Sequence, residues 1–346
     1  MAALLKNAML KHLYALPPAL FEATPETLHR LFPEPTLIHL SGKRPEPLFI
    51  SVLLHGNEPT GFWGVMALLK KYQQQALPRS ITLFFGNTLA AQHNVRRLEQ
   101  QPDFNRIWPG TTLPESNETR MTQVIVDAMR QRQVFASIDI HNNTGLNPHY
   151  ACINSLDRNF LHLARLFGRL VVYFMYPKGV QSAAFAPFCP AVTLECGRPG
   201  HQHGVEHVLE FLDSCLHLTH FPEQDLQPQD IDLFHTVAQV KVRDHIEFSF
   251  ASSDCDLLLN HDVERFNFTE MAAGTAFGRV KTHQAMPLWV FDDQGQDVGD
   301  NFFSVVDQQL QLIRPSMPSM LTLDEQVIRQ DCLCYLMERI PLMGLP

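Results

Sequence analysis

The sequence predicts a mixed α/β protein: a largely parallel sheet flanked by helices, followed by a smaller all-β domain. Three observations carry that expectation. Across residues 36–220, short apolar runs rich in β-branched and aromatic residues alternate with stretches of helical spacing, the pattern of a parallel sheet with crossover helices. At 346 residues the chain exceeds the size at which one core keeps growing, so two domains are expected. After Phe221 the segment PEQDLQPQD reads as a linker, and the rest shows short strands separated by turn signals such as Asp293-Gln294-Gly295. We therefore divide the chain into 1–222 and 223–346.

The N-terminal stretch MAALLKNAMLKHLYALPPALFEA is interrupted by Pro17, Pro18 and Glu22 without a small-residue cleavage pattern, so it reads as part of the folded chain. Strands are expected over 48–54, 81–85, 135–140, 170–175 and 191–194. Helices are expected over 59–75, which has proline in its first turn, and over 115–132, acidic at its start and basic at its end. Apolar spacing predicts two more over 155–167 and 203–218. Beyond the linker, strands are expected over 236–242, 246–250, 288–291 and 302–306, and a closing helix over 324–338.

Composition excludes several function classes. With 45% hydrophobic and 18% charged residues the chain is not disordered, and no apolar run reaches the ~18 residues of a membrane span. Seven scattered cysteines without a Cys-x-x-Cys pair argue for a reducing compartment, hence a cytoplasmic location. Residues 1–222 carry 19 Lys+Arg and 16 Asp+Glu, a balance of +3; the remaining 8 and 20 give −12. An acidic chain without a basic run is a poor nucleic-acid binder, whereas a mildly basic first part suits a small anionic substrate.

The polar residues of interest sit at the C-terminal ends of apolar strands. LFISVLL runs into His55-Gly-Asn-Glu58, ITLFFG into Asn87, FASIDI into His141, and AVTL into Glu195-Cys-Gly. In an open α/β sheet that edge is where ligands bind. His55, Glu58 and His141, 83 residues further on, make a His₂Glu set suited to a catalytic zinc with one open position. His-x-x-Glu alone is a weak motif; its recurrence with a histidine and a glutamate at neighbouring strand ends gives it weight. Asp139 either orients an imidazole or serves a structural hydrogen bond.

The order of motifs HGNEPTG, DFNR, DIHNNTG and TLECG resembles the succinylglutamate desuccinylase/aspartoacylase branch of the zinc carboxypeptidase superfamily over roughly residues 48–210. The resemblance implies a zinc carboxypeptidase-like fold and one zinc per chain on His55, Glu58 and His141. It implies hydrolysis of the amide of a small N-acyl amino acid, with a metal-bound water as nucleophile and Glu195 as general acid/base. It also places Arg96, or its neighbour Arg97, at the scissile carbonyl, and Asn105 with Arg106 on a substrate carboxylate.

One departure concerns substrate. The family has a substrate-binding arginine ten residues before its catalytic glutamate; here that count reaches Phe185, which makes acidic substrates doubtful and a more apolar one expected. Arg198 is a candidate substitute anion contact. His201, His203 and His207 either line the pocket, bind a second metal, or form a polar helix start. Two other functions are carried forward: a metallocarboxypeptidase acting on peptide C-termini, and a non-enzymatic metal-binding protein on the same fold. A tail folded over the site would favour small substrates over peptides.

Overall fold

The computed structural model describes residues 10–281 and 286–342; the first nine residues of the N-terminal stretch expected to join the fold lie outside that range. The chain runs through β1 (Lys11–Leu13), α1 (Leu28–Leu31), β2 (Thr36–Leu40), β3 (Gly42–Val52), α2 (Thr60–Lys71), β4 (Leu77–Phe85) and α3 (Thr88–Gln92). It continues through α4 (Asn117–Gln131), β5 (Ala136–His141), β6 (Tyr150–Ile153), α5 (Arg158–Phe167), β7 (Leu170–Tyr173), α6 (Gln181–Phe185), β8 (Ala191–Glu195) and α7 (Gln202–His217). The tail contributes β9 (Asp232–Val242), β10 (Phe248–Ser249), β11 (Leu257–Leu259), β12 (Ala276–Val280), β13 (Leu288–Phe291), β14 (Phe303–Val306) and β15 (Gln309–Leu312). It ends with β16 (Met317–Ser319), α8 (Glu325–Gln330) and β17 (Cys334–Arg339).

The fold class is the expected one: a mixed, mostly parallel sheet with flanking helices and a separate smaller β-sheet from the tail. The large sheet has the order β1-β2-β4-β3-β5-β8-β6-β7-β9-β17-β16, with β13 also on β9. Its centre, β4-β3-β5-β8, is parallel. Those strands are apolar on both faces because helices cover both: Leu48, Phe49 and Ile50 of β3 are all fully buried. Next to them β6 runs antiparallel to β8, so the sheet changes direction beside the ends of β5 and β8. A crevice forms at such a change.

The smaller sheet, β10-β11-β12-β15-β14, belongs entirely to the tail. The rest of the tail does not fold apart from the first part. Strand β9 pairs with β7, and β13, β16 and β17 build outward from it. The large sheet therefore continues across the boundary we propose at 222/223, which divides the chain in the connector between α7 and β9.

The closing helix expected over 324–338 is a correction. Asp324 caps the short α8, its side chain accepting from the backbone N–H groups of Gln326 and Val327. The helix stops at Asp331, and the chain turns into β17, antiparallel to β9. A six-residue helix has little intrinsic stability, and beyond it the sheet edge offered by β9 draws the chain into extended pairing. Strands β2 and β6 also escaped the sequence reading.

Candidate active site

At the end of β3, buried Leu53 adopts a left-handed backbone conformation, φ 58°, which turns the chain out of the sheet. The turn is held from outside: Asn87 donates its backbone N–H to the Leu53 carbonyl at 2.7 Å, and Gly56 donates to the Arg96 carbonyl at 3.1 Å. A Cβ on Gly56 would lie 2.2 Å from the Ala90 backbone, so only glycine lets this turn rest against α3. The consequence is that His55 and Glu58 are delivered by a rigid loop. His141 ends β5, and Glu195 ends β8 as its direct register partner.

His55 Nδ1 lies 2.8 Å from one Glu58 oxygen and His141 Nδ1 lies 2.7 Å from the other, with the two Nδ1 atoms 3.2 Å apart. The opposite ring nitrogens face carboxylates: His55 Nε2 meets Asp103 at 2.9 Å, and His141 Nε2 meets Asp139 at 2.7 Å. In neutral imidazoles, those partners assign the protons to Nε2 and leave both Nδ1 lone pairs aimed at Glu58. Two lone pairs and a carboxylate converging on one point require positive charge there. Burial disfavours a charged His141, yet the carboxylates of Asp139 and Glu58 outweigh it and hold its pKa well above the ordinary histidine range. The donor atoms of His55, Glu58 and His141 all lie within 4.8 Å of one another, the only such group among the described residues. Two imidazole nitrogens and a carboxylate fit a single divalent ion with an open position.

Around this cluster the charges are paired. Burial opposes ionisation of Glu58, but the flanking His55 and His141 hold its carboxyl well below the usual range. Arg96 donates from Nε and an amino group to Asp103 at 3.1 and 2.9 Å, and reaches Asp331 at 3.3 Å and Glu58 at 3.6 Å. Arg97 turns away, donating to the carbonyls of Leu98, Glu99 and Gln101. Arg106 donates to Asp331 at 2.9 Å and to the Asn105 carbonyl at 2.8 Å. The Asn105 amide oxygen accepts from the Gln181 N–H, and its nitrogen lies 3.2 Å from His141 Nε2. Among the described residues the Glu195 carboxylate has one hydrogen-bond partner, the Asn143 amide at 3.3 Å. Burial pushes its carboxyl up to about 8, aided by Glu58 and opposed by His141, Asn143 and Arg96.

His55, Glu58, Arg96, Asn105, Arg106, His141 and Glu195 all line one cleft of about 650 Å³. With that geometry the motif order has an independent match: residues 46–216 match the model of the succinylglutamate desuccinylase/aspartoacylase catalytic domain. Residues 46–216 belong to the succinylglutamate desuccinylase/aspartoacylase family. The succinylglutamate desuccinylase of Vibrio parahaemolyticus superposes with a TM-score of 0.60 at 13% identity, covering 88% of this chain and 86% of its own. The enzyme of that name from Chromobacterium violaceum gives 0.54 at 19%, covering 87% of each chain. Murine aminoacylase 3 gives 0.51 at 14%, covering 87% of this chain and 97% of its own. At such identities the likeness is one of fold. No curated protein matches the chain in sequence.

Several residues expected near the site of this desuccinylase/aspartoacylase domain lie elsewhere. Phe185 is fully buried in the core, stacked on Phe49 with ring centroids 4.7 Å apart and edge-on to Trp108. It is packing, and it lines no part of the cleft. Arg198 donates to the Thr144 carbonyl and to Glu264, tying the first part of the chain to the tail. His207 and His149 share a hydrogen bond of 2.7 Å and stack with His203 and Phe167, away from the cleft. Asn87 caps α3 by accepting from the Ala90 N–H.

The sequence reading missed Asp103 and Asp331. Asp103 opens the DFNR motif, so its signal was present. Asp331 comes from the tail, 225 residues beyond Arg106, and carries no local signal. Thr236, Ser319, Met320 and Tyr335 of the tail join it in the cleft wall, so the tail covers the site.

Proposed function

We propose that this protein is a zinc-dependent amidohydrolase that cleaves the amide of a small N-acyl amino acid, the reading its family and fold also support. One observation carries it: the Nδ1 atoms of His55 and His141 and the Glu58 carboxylate converge at the end of β5, one strand from an otherwise sparsely bonded Glu195. A divalent metal held there supplies Lewis acidity and lowers the pKa of water toward neutrality. Glu195 takes a proton from the nucleophilic water and returns it to the leaving amine; a carboxyl poised near neutral pH suits both transfers. Arg96, fixed by Asp103, offers positive charge to the developing oxyanion. Arg106 offers N–H donors to the substrate carboxylate.

The covering tail favours this reading over a metallocarboxypeptidase, because Asp331, Tyr335 and Met320 of the tail help to wall a cleft of about 650 Å³, a size suited to a small substrate. It disfavours a mere binding protein less directly: a binding site has no use for a proton shuttle beside the ligand set. Among the described residues no helix is long and apolar enough to cross a membrane, and all seven cysteines are free, which supports a cytoplasmic location. The test is incubation of zinc-loaded protein with N-acyl amino acids and short peptides, alongside Glu195→Gln. Release of free amino acids by wild type alone supports the proposal. Release of C-terminal residues from peptides favours a carboxypeptidase, and turnover that survives the substitution removes Glu195 from the chemistry.

A further inference from the structure

The two arginines of the cleft are already answered by carboxylates from the protein. Asp103 pairs with Arg96, and Asp331 bridges the arginines, one oxygen 2.9 Å from Arg106 and the other 3.3 Å from Arg96. Two cations and two anions make a neutral ladder, with Asp331 at its centre and mostly buried. Arg106 retains Nε as a donor without a protein partner among the described residues. One substrate carboxylate can be met there, but a second would enter a site whose positive charge is spent.

Among the described residues, no lysine or further arginine lines the cleft to receive it. Tyr150, Val172, Phe174, Tyr176, Val180 and Met320 supply the apolar part of its lining. The Tyr150 hydroxyl donates to the Met320 sulfur at 2.9 Å, so even this polar atom is turned onto its neighbour. An uncompensated carboxylate against such a wall loses its hydration without replacement, whereas an aliphatic or aromatic group gains by leaving water.

We propose that Asp331 and this apolar wall make the site selective for N-acyl amino acids with a single carboxylate and an apolar side chain, rejecting those that carry a second carboxylate. The inference rests on the proposed amidohydrolase reading and names its substrate class. Asp331 acts through Arg96 and Arg106, so it is a positioning residue, placed by the end of α8 and the start of β17.

The experiment pairs N-acetylphenylalanine and N-acetylleucine with N-acetylaspartate and N-succinylglutamate, measuring both turnover and equilibrium binding to zinc-loaded protein. Wild type is expected to favour the apolar pair at least tenfold in kcat/KM and in Kd. In Asp331→Asn the released arginine charge should lower KM for the two acidic substrates at least tenfold, with kcat moving less, so that the preference narrows. Phe174→Arg places a cation on the half-buried apolar wall and should narrow it in the same way, which keeps the test intact if the first variant does not fold. A wild-type preference for the acidic pair, or variants that lower affinity for both classes equally, would overturn the proposal. Selective binding of the apolar pair without any turnover would instead overturn the amidohydrolase reading and leave the selectivity standing.

Discussion

His141 and Glu195 are register partners on the adjacent parallel strands β5 and β8, so their side chains leave the same face of the sheet at its C-terminal edge. The proposed ligand and the proposed proton shuttle are thereby fixed by backbone hydrogen bonding, with the Cys196 N–H donating to the His141 carbonyl at 3.0 Å just beyond. Glu195→Gln keeps the shape and removes the base. The expected outcome is a loss of roughly 10²–10⁴ in kcat with zinc stoichiometry unchanged, read by steady-state kinetics and metal analysis.

The carboxylates behind the imidazoles should matter nearly as much as the ligands. Asp139 is fully buried and divides its oxygens between Ser51 Oγ at 2.6 Å and His141 Nε2 at 2.7 Å. Asp139→Asn and Asp103→Asn are each expected to weaken zinc binding by about 10–100-fold. Competition against a chromophoric chelator measures it, and unchanged affinity in both variants would show that these carboxylates do not orient the histidines.

The pH dependence of metal-free stability has a definite sign. The Glu195 carboxyl is raised from 4.5 to about 8 in the folded protein, chiefly by burial. Between those values the folded state holds a proton that the unfolded chain releases, so this group's contribution falls as pH rises through the window. Relative to wild type, Glu195→Gln should therefore gain stability between pH 5 and pH 8, on the order of a few kcal/mol at most. Denaturant unfolding in excess chelator checks it; a difference that stays flat across that range contradicts the buried-carboxyl account.

Gly56→Ala tests the turn that carries His55 and Glu58. With backbone atoms 2.2 Å from the new methyl group, the loop or α3 must move. We expect a stability loss of about 1–3 kcal/mol, the usual range for overpacking. Zinc affinity should fall with it. Calorimetric unfolding and metal titration provide the readouts, and a neutral substitution would mean that the loop is not pinned.

Neighbouring arginines should behave differently. Arg96→Ala removes a buried cation beside the cluster and is expected to lower kcat by about 10²–10³. Arg97→Ala removes hydrogen bonds to loop carbonyls and should leave kcat within about tenfold, because surface changes away from the chemistry are usually mild. Parallel kinetics on the two variants would expose an inverted assignment at once.

Much of the fold was legible because its central strands are buried on both faces and therefore read as continuous apolar runs. The 48–54 and 191–194 runs are of this kind, and they correspond to β3 and β8. Where pairing partners rather than local pattern decide conformation, the reading failed. The 324–338 segment has helical composition, yet beyond Asp331 it becomes β17 because β9 offers an edge. Phe185 shows a different failure. Counting residues back from Glu195 located its position in the chain, but the orientation of α6 sends the ring into the core beside Phe49 and Trp108.

By itself the sequence determined the α/β architecture of the first part, the strand ends that carry His55, Glu58, His141 and Glu195, and the family those motifs point to. These are local matters, set by apolar periodicity and by polar residues where a run stops. Only the tertiary structure decided that Asp103 and Asp139 back the imidazoles, that Arg96 and not Arg97 faces the cluster, and that tail residue Asp331 bridges Arg96 and Arg106. Such contacts join segments as much as 235 residues apart, and complementary charges find each other only after the sheet and its covering tail have brought them within reach.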